Sequence, residues 1–125
     1  PALADPAAAL AAALAEAVGR PPLSALVRAG HRVAISVCDI TRAQPRALTL
    51  EALFAAMPSH KPEHVTILVA TGTHRANTPE ELARMLGPSI VERYRVVNHD
   101  ARDEASLAFA GTTPSGVPVW LNRHW

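Results

Sequence analysis

The sequence predicts an α/β fold: a three-layer domain with a mostly parallel sheet and a C-terminal β-hairpin. The first observation is a pair of unbroken apolar runs, Val33–Cys38 and Val65–Ala70, which are typical of strands buried on both faces. The second is that helix signals separate these runs from each other and from a third, shorter predicted strand, Arg95–Asn98. The order strand, helix, strand, helix, strand indicates parallel strands joined by helices.

The composition narrows the domain count and the classes of partner. With 125 residues, 49% of them hydrophobic, residues 1–125 have room for a single domain around one core. The formal net charge is +1 and no basic face is visible, which argues against a nucleic-acid partner. No window approaches the ~20 apolar residues of a membrane span, so we expect no membrane partner. The single cysteine, Cys38, fits a reducing cytoplasm, and its apolar neighbours predict a buried structural thiol.

Helical segments precede the first strand. Asp5 followed by a proline predicts a capped helix that runs through the alanines to about Val18. Ser24 is expected to cap a single turn that ends at Gly30. Three apolar residues at helical spacing form the stripe that would pack on the sheet: Leu10, Leu14 and Val18.

Helices are also predicted on either side of the central strand. The first runs from about Thr49 to Met57 and is stopped by a proline. The second begins at Thr78, where a proline follows the cap and Glu81 completes a capping box. This is the strongest local signal in the chain. The residues of the second helix that we expect in the core are Leu82, Met85 and Leu86.

The last third of the chain predicts one more strand and a hairpin. A short helical turn from Ser89 to Tyr94 leads into the strand Arg95–Asn98. The segments Leu107–Thr112 and Val117 to Leu121 flank a Pro-Ser-Gly turn, which is typical of a β-hairpin.

Polar residues follow each of the three strands, at positions 39–42, 71–75 and 98–103. Right-handed crossovers place the carboxyl ends of parallel strands at one edge of the sheet. Ligands of open α/β sheets bind in the crevice outside those ends. We therefore expect the three clusters to converge on one site.

Within these clusters, three residues have chemistry suited to a ligand. Arg42 offers a two-pronged donor for a carboxylate or phosphate. Asp39 could orient Arg42 or hold a histidine in one tautomer. His74 could transfer a proton near neutral pH. Each also has a plainer interpretation, as a surface ion pair or an exposed loop histidine.

The remaining histidines give weaker signals. His99 and Asp100 fit a turn stabilised by side-chain to backbone hydrogen bonds as well as a ligand contact. The other four show no metal-ligand spacing and are expected to be solvated: His31, His60, His64 and His124.

Three motifs, in this order and spacing, carry a resemblance to a known family: Asp39-Ile40-Thr41-Arg42, Ala70-Thr71-Gly72-Thr73-His74-Arg75 with Thr78-Pro79-Glu80-Glu81-Leu82, and Asn98-His99-Asp100. They resemble the amino-terminal domain of nickel-dependent lactate racemase and its relatives. The resemblance covers most of the chain between Val33 and Leu121.

That resemblance implies a reaction and a cofactor. Members of the family interconvert the two stereoisomers of lactate or another 2-hydroxy acid. They use a nickel-pincer nucleotide (nickel pyridinium bisthiocarboxylate mononucleotide) derived from nicotinic acid mononucleotide. The α-hydrogen of the substrate passes as a hydride to the cofactor while a histidine takes the hydroxyl proton.

Carried over to this chain, the resemblance makes His74 one of two acid/base histidines. Arg42 would bind the substrate carboxylate, and residues Asp39, Ile40, Thr41 and Arg42 would line the cofactor. The second histidine, the lysine that holds the cofactor and the nickel ligand match no position here, so we expect no metal ligand in this chain. We therefore expect the amino-terminal part of a two-domain enzyme, inactive alone, whose partner is its own C-terminal domain.

An alternative of another class remains open. The chain could be a stand-alone α/β module that holds an anionic ligand or partner through Arg42 without catalysis. For the first interpretation, we also expect the apolar residues near the end of the chain to be largely exposed in a monomer, or buried against another copy of the chain, because the surface that covers them would be absent. These residues are Trp120, Leu121 and Trp125.

Overall fold

The computed structural model describes residues 3–125 and confirms the α/β fold with a parallel sheet and a β-hairpin. Strands β1 (Val33–Cys38), β2 (Val65–Ala70) and β3 (Arg95–Asn98) form the parallel sheet in that order. Strands β4 (Leu107–Thr112) and β5 (Pro118–Asn122) pair antiparallel as the hairpin. The helices are α1 (Pro6–Ala15), α2 (Leu23–Leu26), α3 (Arg46–Ala56), α4 (Pro79–Leu86) and α5 (Pro88–Arg93), with 3₁₀ turns at Pro62–His64 and Glu104–Ser106.

The helices that connect the strands pack on one face of the sheet. Consecutive strands are neighbours, and right-handed crossovers that step in the same direction place their helices on the same face. Alternate residues of the strands point to that face. Val37 of β1 and Ile67 of β2 belong to one buried cluster with Leu50 of α3 and Leu86 of α4. This face holds the core.

The opposite face of the sheet is only partly covered. Ser36, Cys38 and Ala70 are exposed on it. The end of the chain lies over part of the same face, where Trp120 and Trp125 line a shallow cavity of about 210 Å³. The expectation that β1 is buried on both faces is therefore wrong, and so is that of a buried Cys38 thiol. Both expectations rest on the apolar composition of β1, and composition does not show which face of the sheet the helices cover.

Two helix ends differ from the prediction near the start of the chain. Helix α1 ends at Ala15, and Val18, expected in the packing stripe, is 97% exposed. Leu10 and Leu14 are half-buried, as the stripe predicts. Helix α2 is capped by Pro22, so the expected capping role of Ser24 is wrong.

Helix α3 begins earlier than expected, at Arg46 rather than Thr49. Pro45 occupies the cap position, and its carbonyl accepts a hydrogen bond from the Thr49 amide at 3.0 Å. The residues directly after Pro45 thus form the first turn of the helix. This shift brings Arg46 to the carboxyl edge of the sheet.

The capping box of α4 is present as predicted. The Thr78 side chain accepts from the Glu81 amide, and the Glu81 carboxylate accepts from the Thr78 amide. The expected core residues of this helix, Met85 and Leu86, are buried, and Leu82 packs against them. The box fixes where the segment between β2 and α4 ends.

The expectation of a solvated His60 is wrong. Its Nδ1 lies 2.6 Å from the carbonyl oxygen of Met57, and its Nε2 lies 2.9 Å from the hydroxyl of Tyr94. The Phe54 ring stacks on both His60 and Tyr94. The histidine therefore links the C-terminal end of α3 to that of α5. His64 and His124 are half-buried rather than solvated, and His31 is exposed.

The apolar residues near the end of the chain are exposed, as predicted. Trp120 is 56% exposed, Trp125 62% and Leu121 41%. Among residues 3–125, no helix combines the length and the apolar character that crossing a membrane requires.

Candidate functional site

Asp39, Arg42 and His74 line one open cavity of about 270 Å³ at the carboxyl edge of the sheet. The rest of its lining comes from the last residues of β1 and β2 and from the turn after β2: Cys38, Ala70, Thr71, Gly72 and Thr73. The first two polar clusters thus converge, as the order of parallel strands predicts.

Asp39 holds His74. Nδ1 of the imidazole lies 2.6 Å from Oδ2 of the carboxylate, whose side chain is 6% exposed, whereas that of His74 is 51% exposed. The other carboxylate oxygen, Oδ1, accepts from the Thr41 hydroxyl at 2.6 Å and from the Thr41 amide at 3.2 Å. The pair therefore has a fixed, buried member and an accessible one.

The charge of Asp39 settles the direction of the bond. Hydrogen bonds from the Thr41 side chain and from His74 lower the pKa of Asp39 from 3.8 to about 2. An ionised carboxylate only accepts hydrogen bonds, so Nδ1 of His74 carries the proton. In the neutral ring, Nε2 then has the free lone pair. Of the two roles considered for Asp39, the structure supports holding the histidine.

Arg42 is exposed at the same cavity. Within residues 3–125 its guanidinium forms no hydrogen bond or ion pair, although its backbone amide donates to the Asp39 carbonyl at 3.3 Å. A guanidinium without a protein partner can bind a carboxylate or phosphate through two parallel N–H donors. Arg42 is therefore available at the cavity to bind an anion.

The segment between β1 and α3, residues 39–45, is called the first loop here. It closes around the guanidinium of Arg46, which is only 5% exposed. Nε donates to the Cys38 carbonyl and one terminal nitrogen to the Arg42 carbonyl, each at 2.7 Å. The sequence pattern does not predict this role of Arg46, because an arginine after a proline is most simply interpreted as a surface residue.

The segment between β2 and α4, residues 71–78, is called the second loop. It begins with a tight turn in which the His74 amide donates to the Thr71 carbonyl at 3.0 Å. Gly72 adopts φ +60°, a conformation that glycine reaches without strain. Thr71 is buried, and its hydroxyl donates to the carbonyl of His99. This turn presents His74 to Asp39.

Arg75 is part of the second predicted cluster but does not line the cavity. Its guanidinium pairs with the Glu81 carboxylate through two contacts of 2.8 and 2.7 Å. The Arg75 hydrogen bond lowers the pKa of Glu81 from 4.5 to about 2, with the Thr78 amide as the next cause. Arg75 thus anchors the second loop to α4.

Asn77 connects the three strand ends, and the sequence analysis missed it. Its side-chain oxygen accepts from the Ile40 amide at 3.2 Å. Its backbone and side-chain nitrogens both donate to Asn98 Oδ1, at 3.0 and 3.1 Å, and Asn98 donates back to its carbonyl at 3.1 Å. The only sequence signal was an asparagine directly before a helix cap.

Several predicted site residues lie outside the cavity. Ile40 packs against the core, and Thr41 is engaged with Asp39. Nδ1 of His99 lies 3.2 Å from the buried amide of Asn122. Asp100 accepts from the Arg102 amide at 2.9 Å, which is the turn that its plainer interpretation described.

Metal-ligating side chains do not converge in the part of the chain that the structure describes: no group of three or more His, Cys, Asp or Glu is placed to hold a metal ion. The groups at the cavity able to hold an anionic cofactor or substrate are the Arg42 guanidinium and, as a hydrogen-bonding partner, His74.

Comparisons with known proteins point to one family. A family model described as the lactate racemase N-terminal domain matches residues 1–125. Lactate racemase of Thermoanaerobacterium thermosaccharolyticum is 33% identical over 112 residues, which are 89% of this chain and 26% of that protein. Lactate racemase of Lactiplantibacillus plantarum is 35% identical over 107 residues, which are 85% of this chain and 25% of that protein.

Solved structures agree with this assignment. The lactate racemase apoprotein from Thermoanaerobacterium thermosaccharolyticum superposes with a TM-score of 0.82 at 30% identity, covering 94% of this chain and 28% of that one. A Thermotoga maritima protein superposes with a TM-score of 0.66 at 26% identity, covering 94% of this chain and 29% of that one. The chain spans about a quarter of the length of the relatives it matches.

Proposed function

Because this chain belongs to the lactate racemase N-terminal domain family, we propose that it forms the amino-terminal part of a racemase or epimerase of lactate or another 2-hydroxy acid. The observation that supports the proposal is the pair of Asp39 and His74 at the same cavity as the Arg42 guanidinium, which has no partner within residues 3–125. A 2-hydroxy acid has one carboxylate and one hydroxyl on adjacent carbons. The cavity offers the Arg42 guanidinium for the carboxylate and the His74 imidazole for the hydroxyl.

The proposed roles follow from the chemistry of each side chain. Arg42 binds the substrate carboxylate through its two-pronged donor. His74 takes the hydroxyl proton on Nε2, the nitrogen that the Asp39 bond leaves free. Asp39 keeps the ring in that tautomer and stabilises the positive charge that the ring acquires.

The family resemblance further implies a nickel-pincer nucleotide, which would supply a hydride acceptor for the α-hydrogen when bound. The chemistry of the cavity fits its anionic groups, since Arg42 is exposed, cationic and unpaired within residues 3–125. Of the four residues expected to line the cofactor, Asp39 and Arg42 line the cavity. Ile40 and Thr41 support the loop instead, so we assign Arg42 the direct contact.

The rest of the protein completes the site in this proposal. Inversion at a carbon requires a proton-transfer group on each of its two faces. His74 serves one face. The second histidine, the nickel ligand and the lysine that holds the cofactor would lie further along the chain of the full-length protein. We accordingly expect residues 1–125 alone to show no racemase activity.

The second candidate function is a stand-alone module that binds an anion without catalysis. The unpaired guanidinium of Arg42 favours it to the same extent, because binding a carboxylate needs nothing more. The two candidates differ over His74. Only the enzyme needs an imidazole whose tautomer is fixed by a buried carboxylate.

Replacing His74 tests the proposal. We expect His74→Ala in the cofactor-loaded, full-length protein to lower kcat about 10²–10⁴-fold, the usual contribution of an acid/base group. The measurement is racemisation rate across several 2-hydroxy acids, followed by chiral separation of the products. His31→Ala, at an exposed histidine that precedes β1 and so lies at the opposite end of that strand from the first loop, is the matched control and should retain the wild-type rate. A wild-type rate in His74→Ala would contradict the proposal.

Replacing Arg42 tests the substrate contact separately. Arg42→Lys keeps the charge but loses the second prong of the contact with a carboxylate. We expect KM to rise roughly tenfold, the cost of one charge-assisted hydrogen bond. An unchanged KM for every 2-hydroxy acid tested would remove the carboxylate contact from the proposal.

A further inference from the structure

Arg46 is a buried cation with an unusual set of partners. Its side chain reaches from the first turn of α3 into the first loop, and no carboxylate pairs with it among residues 3–125. Four backbone carbonyls accept from its guanidinium instead, those of Cys38, Asp39, Arg42 and Gln44. The charge is thus compensated by the negative ends of peptide dipoles.

Only an arginine can satisfy this arrangement. The guanidinium has five N–H donors in a rigid plane, so it can bond several carbonyls at fixed angles. A lysine ammonium at the same place has three donors around one nitrogen and cannot reach all the carbonyls that are spread around the edge of the guanidinium. An unpaired buried carbonyl costs free energy, so the loop would rearrange around a smaller donor.

The carbonyls that Arg46 binds belong to residues of the site. Asp39 and Arg42 are both held through their backbone oxygens by the same terminal nitrogen, the contact with Arg42 measuring 2.7 Å. A single guanidinium therefore sets the distance between the residue that orients His74 and the residue that binds the anion. Arg46 itself does not line the cavity that they share.

We propose that Arg46 is a positioning residue for the racemase site, acting on catalysis through the first loop without touching the substrate. The proposal rests on the proposed function for its kinetic consequence. Its structural consequence does not: the Asp39–His74 hydrogen bond depends on Arg46 whatever reaction the site performs.

Arg46→Lys in the full-length, cofactor-loaded protein is the test. Misplacement of a catalytic group by about 1 Å can lower a rate about 10²-fold, so we expect kcat to fall roughly ten- to hundredfold and KM to rise as Arg42 moves. In Arg46→Gln, which also removes the charge, kcat should fall further. Arg84→Lys, the same change at an exposed arginine of α4, should leave both constants unchanged.

A stability control separates positioning from folding. Leu50→Ala, a core substitution in the same helix α3, should lower the midpoint of thermal unfolding while keeping the wild-type kcat well below that midpoint. The second readout is the proton NMR resonance of Nδ1–H in His74, identified by its loss in His74→Ala. We expect it to shift or broaden in Arg46→Lys and to stay in place in Leu50→Ala.

The outcomes distinguish the two proposals. A shifted resonance in a protein that racemises nothing supports the role of Arg46 and counts against the proposed function alone. A folded Arg46→Lys protein with wild-type kcat, KM and resonance overturns the role of Arg46. Failure of both Arg46 variants to fold, while Leu50→Ala folds, also overturns it, because Arg46 would then be required only for folding.

Discussion

The two loops that meet at the cavity are held by different kinds of contact. In the first loop, the anchor is the guanidinium of Arg46, which is 5% exposed and bonded to backbone carbonyls. In the second loop, the anchor to α4 is the pair of Arg75 and Glu81, and the Arg75 side chain is 67% exposed. The first anchor is inside the protein, and the second is a surface ion pair in which the Glu81 side chain is 17% exposed.

This difference predicts that the two loops contribute differently to the rigidity of the site. Breaking a buried network leaves polar groups without partners, which costs more than losing an exposed ion pair. The first loop, which carries the buried Asp39, is therefore the fixed side of the site. The second loop carries the half-exposed His74, and its contact with α4 is a surface ion pair, while the buried Thr71 and Asn77 hold it to the strand ends. His74 can be exposed to the cavity and still keep one orientation, because the buried Asp39 holds its ring.

The largest effect that the comparison predicts is at Asp39. In Asp39→Asn the neutral amide no longer stabilises a charged imidazole, and its nitrogen can donate to Nδ1 and favour the wrong tautomer. We expect kcat of the full-length enzyme to fall roughly a hundredfold. Asp100→Asn, at an exposed turn outside the cavity, is the control. Equal rates in the two variants would show that the fixed side does not orient the histidine.

A medium effect is expected at Asn77, the amide that joins the two loops. Asn77→Ala leaves the part-buried amide of Ile40 and the side chain of Asn98 short of a partner. We expect the free energy of unfolding, measured with denaturant, to fall by about 1–3 kcal/mol. Asn98→Ala removes part of the same network, so the double variant should lose less than the sum of the two. Full additivity would mean that the amides act independently.

The smallest effect is expected at Glu81, because its pair with Arg75 is exposed. Its pKa is lowered from 4.5 to about 2, so the stability it contributes is present above pH 4.5 and is lost as the pH falls through about 2. Asp39, lowered from 3.8 to about 2, acts in the same direction. In Glu81→Gln, the midpoint of thermal unfolding should depend less on pH over this range and fall only slightly at pH 7. If the midpoint of thermal unfolding at pH 7 fell further in Glu81→Gln than in Asn77→Ala, the ranking of the anchors would be reversed.

The sequence carried enough information to predict the strands and the grouping at the sheet edge. Unbroken apolar runs mark β1 and β2, and the capping box at Thr78 marks the start of α4. Since parallel strands end at the same edge, the residues that follow them must meet. Asp39 and His74 could therefore be brought together before any distance was known.

The positions that were mispredicted depend on tertiary structure. Which face of the sheet the helices cover follows from strand order, and the composition of β1 does not encode that order, so Cys38 was placed wrongly. The anchoring roles of Arg46 and Asn77 depend on carbonyls and amides of other segments. Backbone groups are the same in every residue, so partners of this kind leave no trace in a sequence pattern.

The exposed thiol of Cys38 gives the site an attachment point for a reporter group. It is the only cysteine among the 125 residues, and it lines the same cavity as Asp39 and His74. Its backbone is fixed on both sides, since its amide donates to Gln44 at 3.3 Å and its carbonyl accepts from Arg46. A fluorophore or spin label on this sulfur is therefore mounted on a rigid strand end. Its signal would report the binding of a molecule at the cavity, because the end of β1 to which it is attached is held in place.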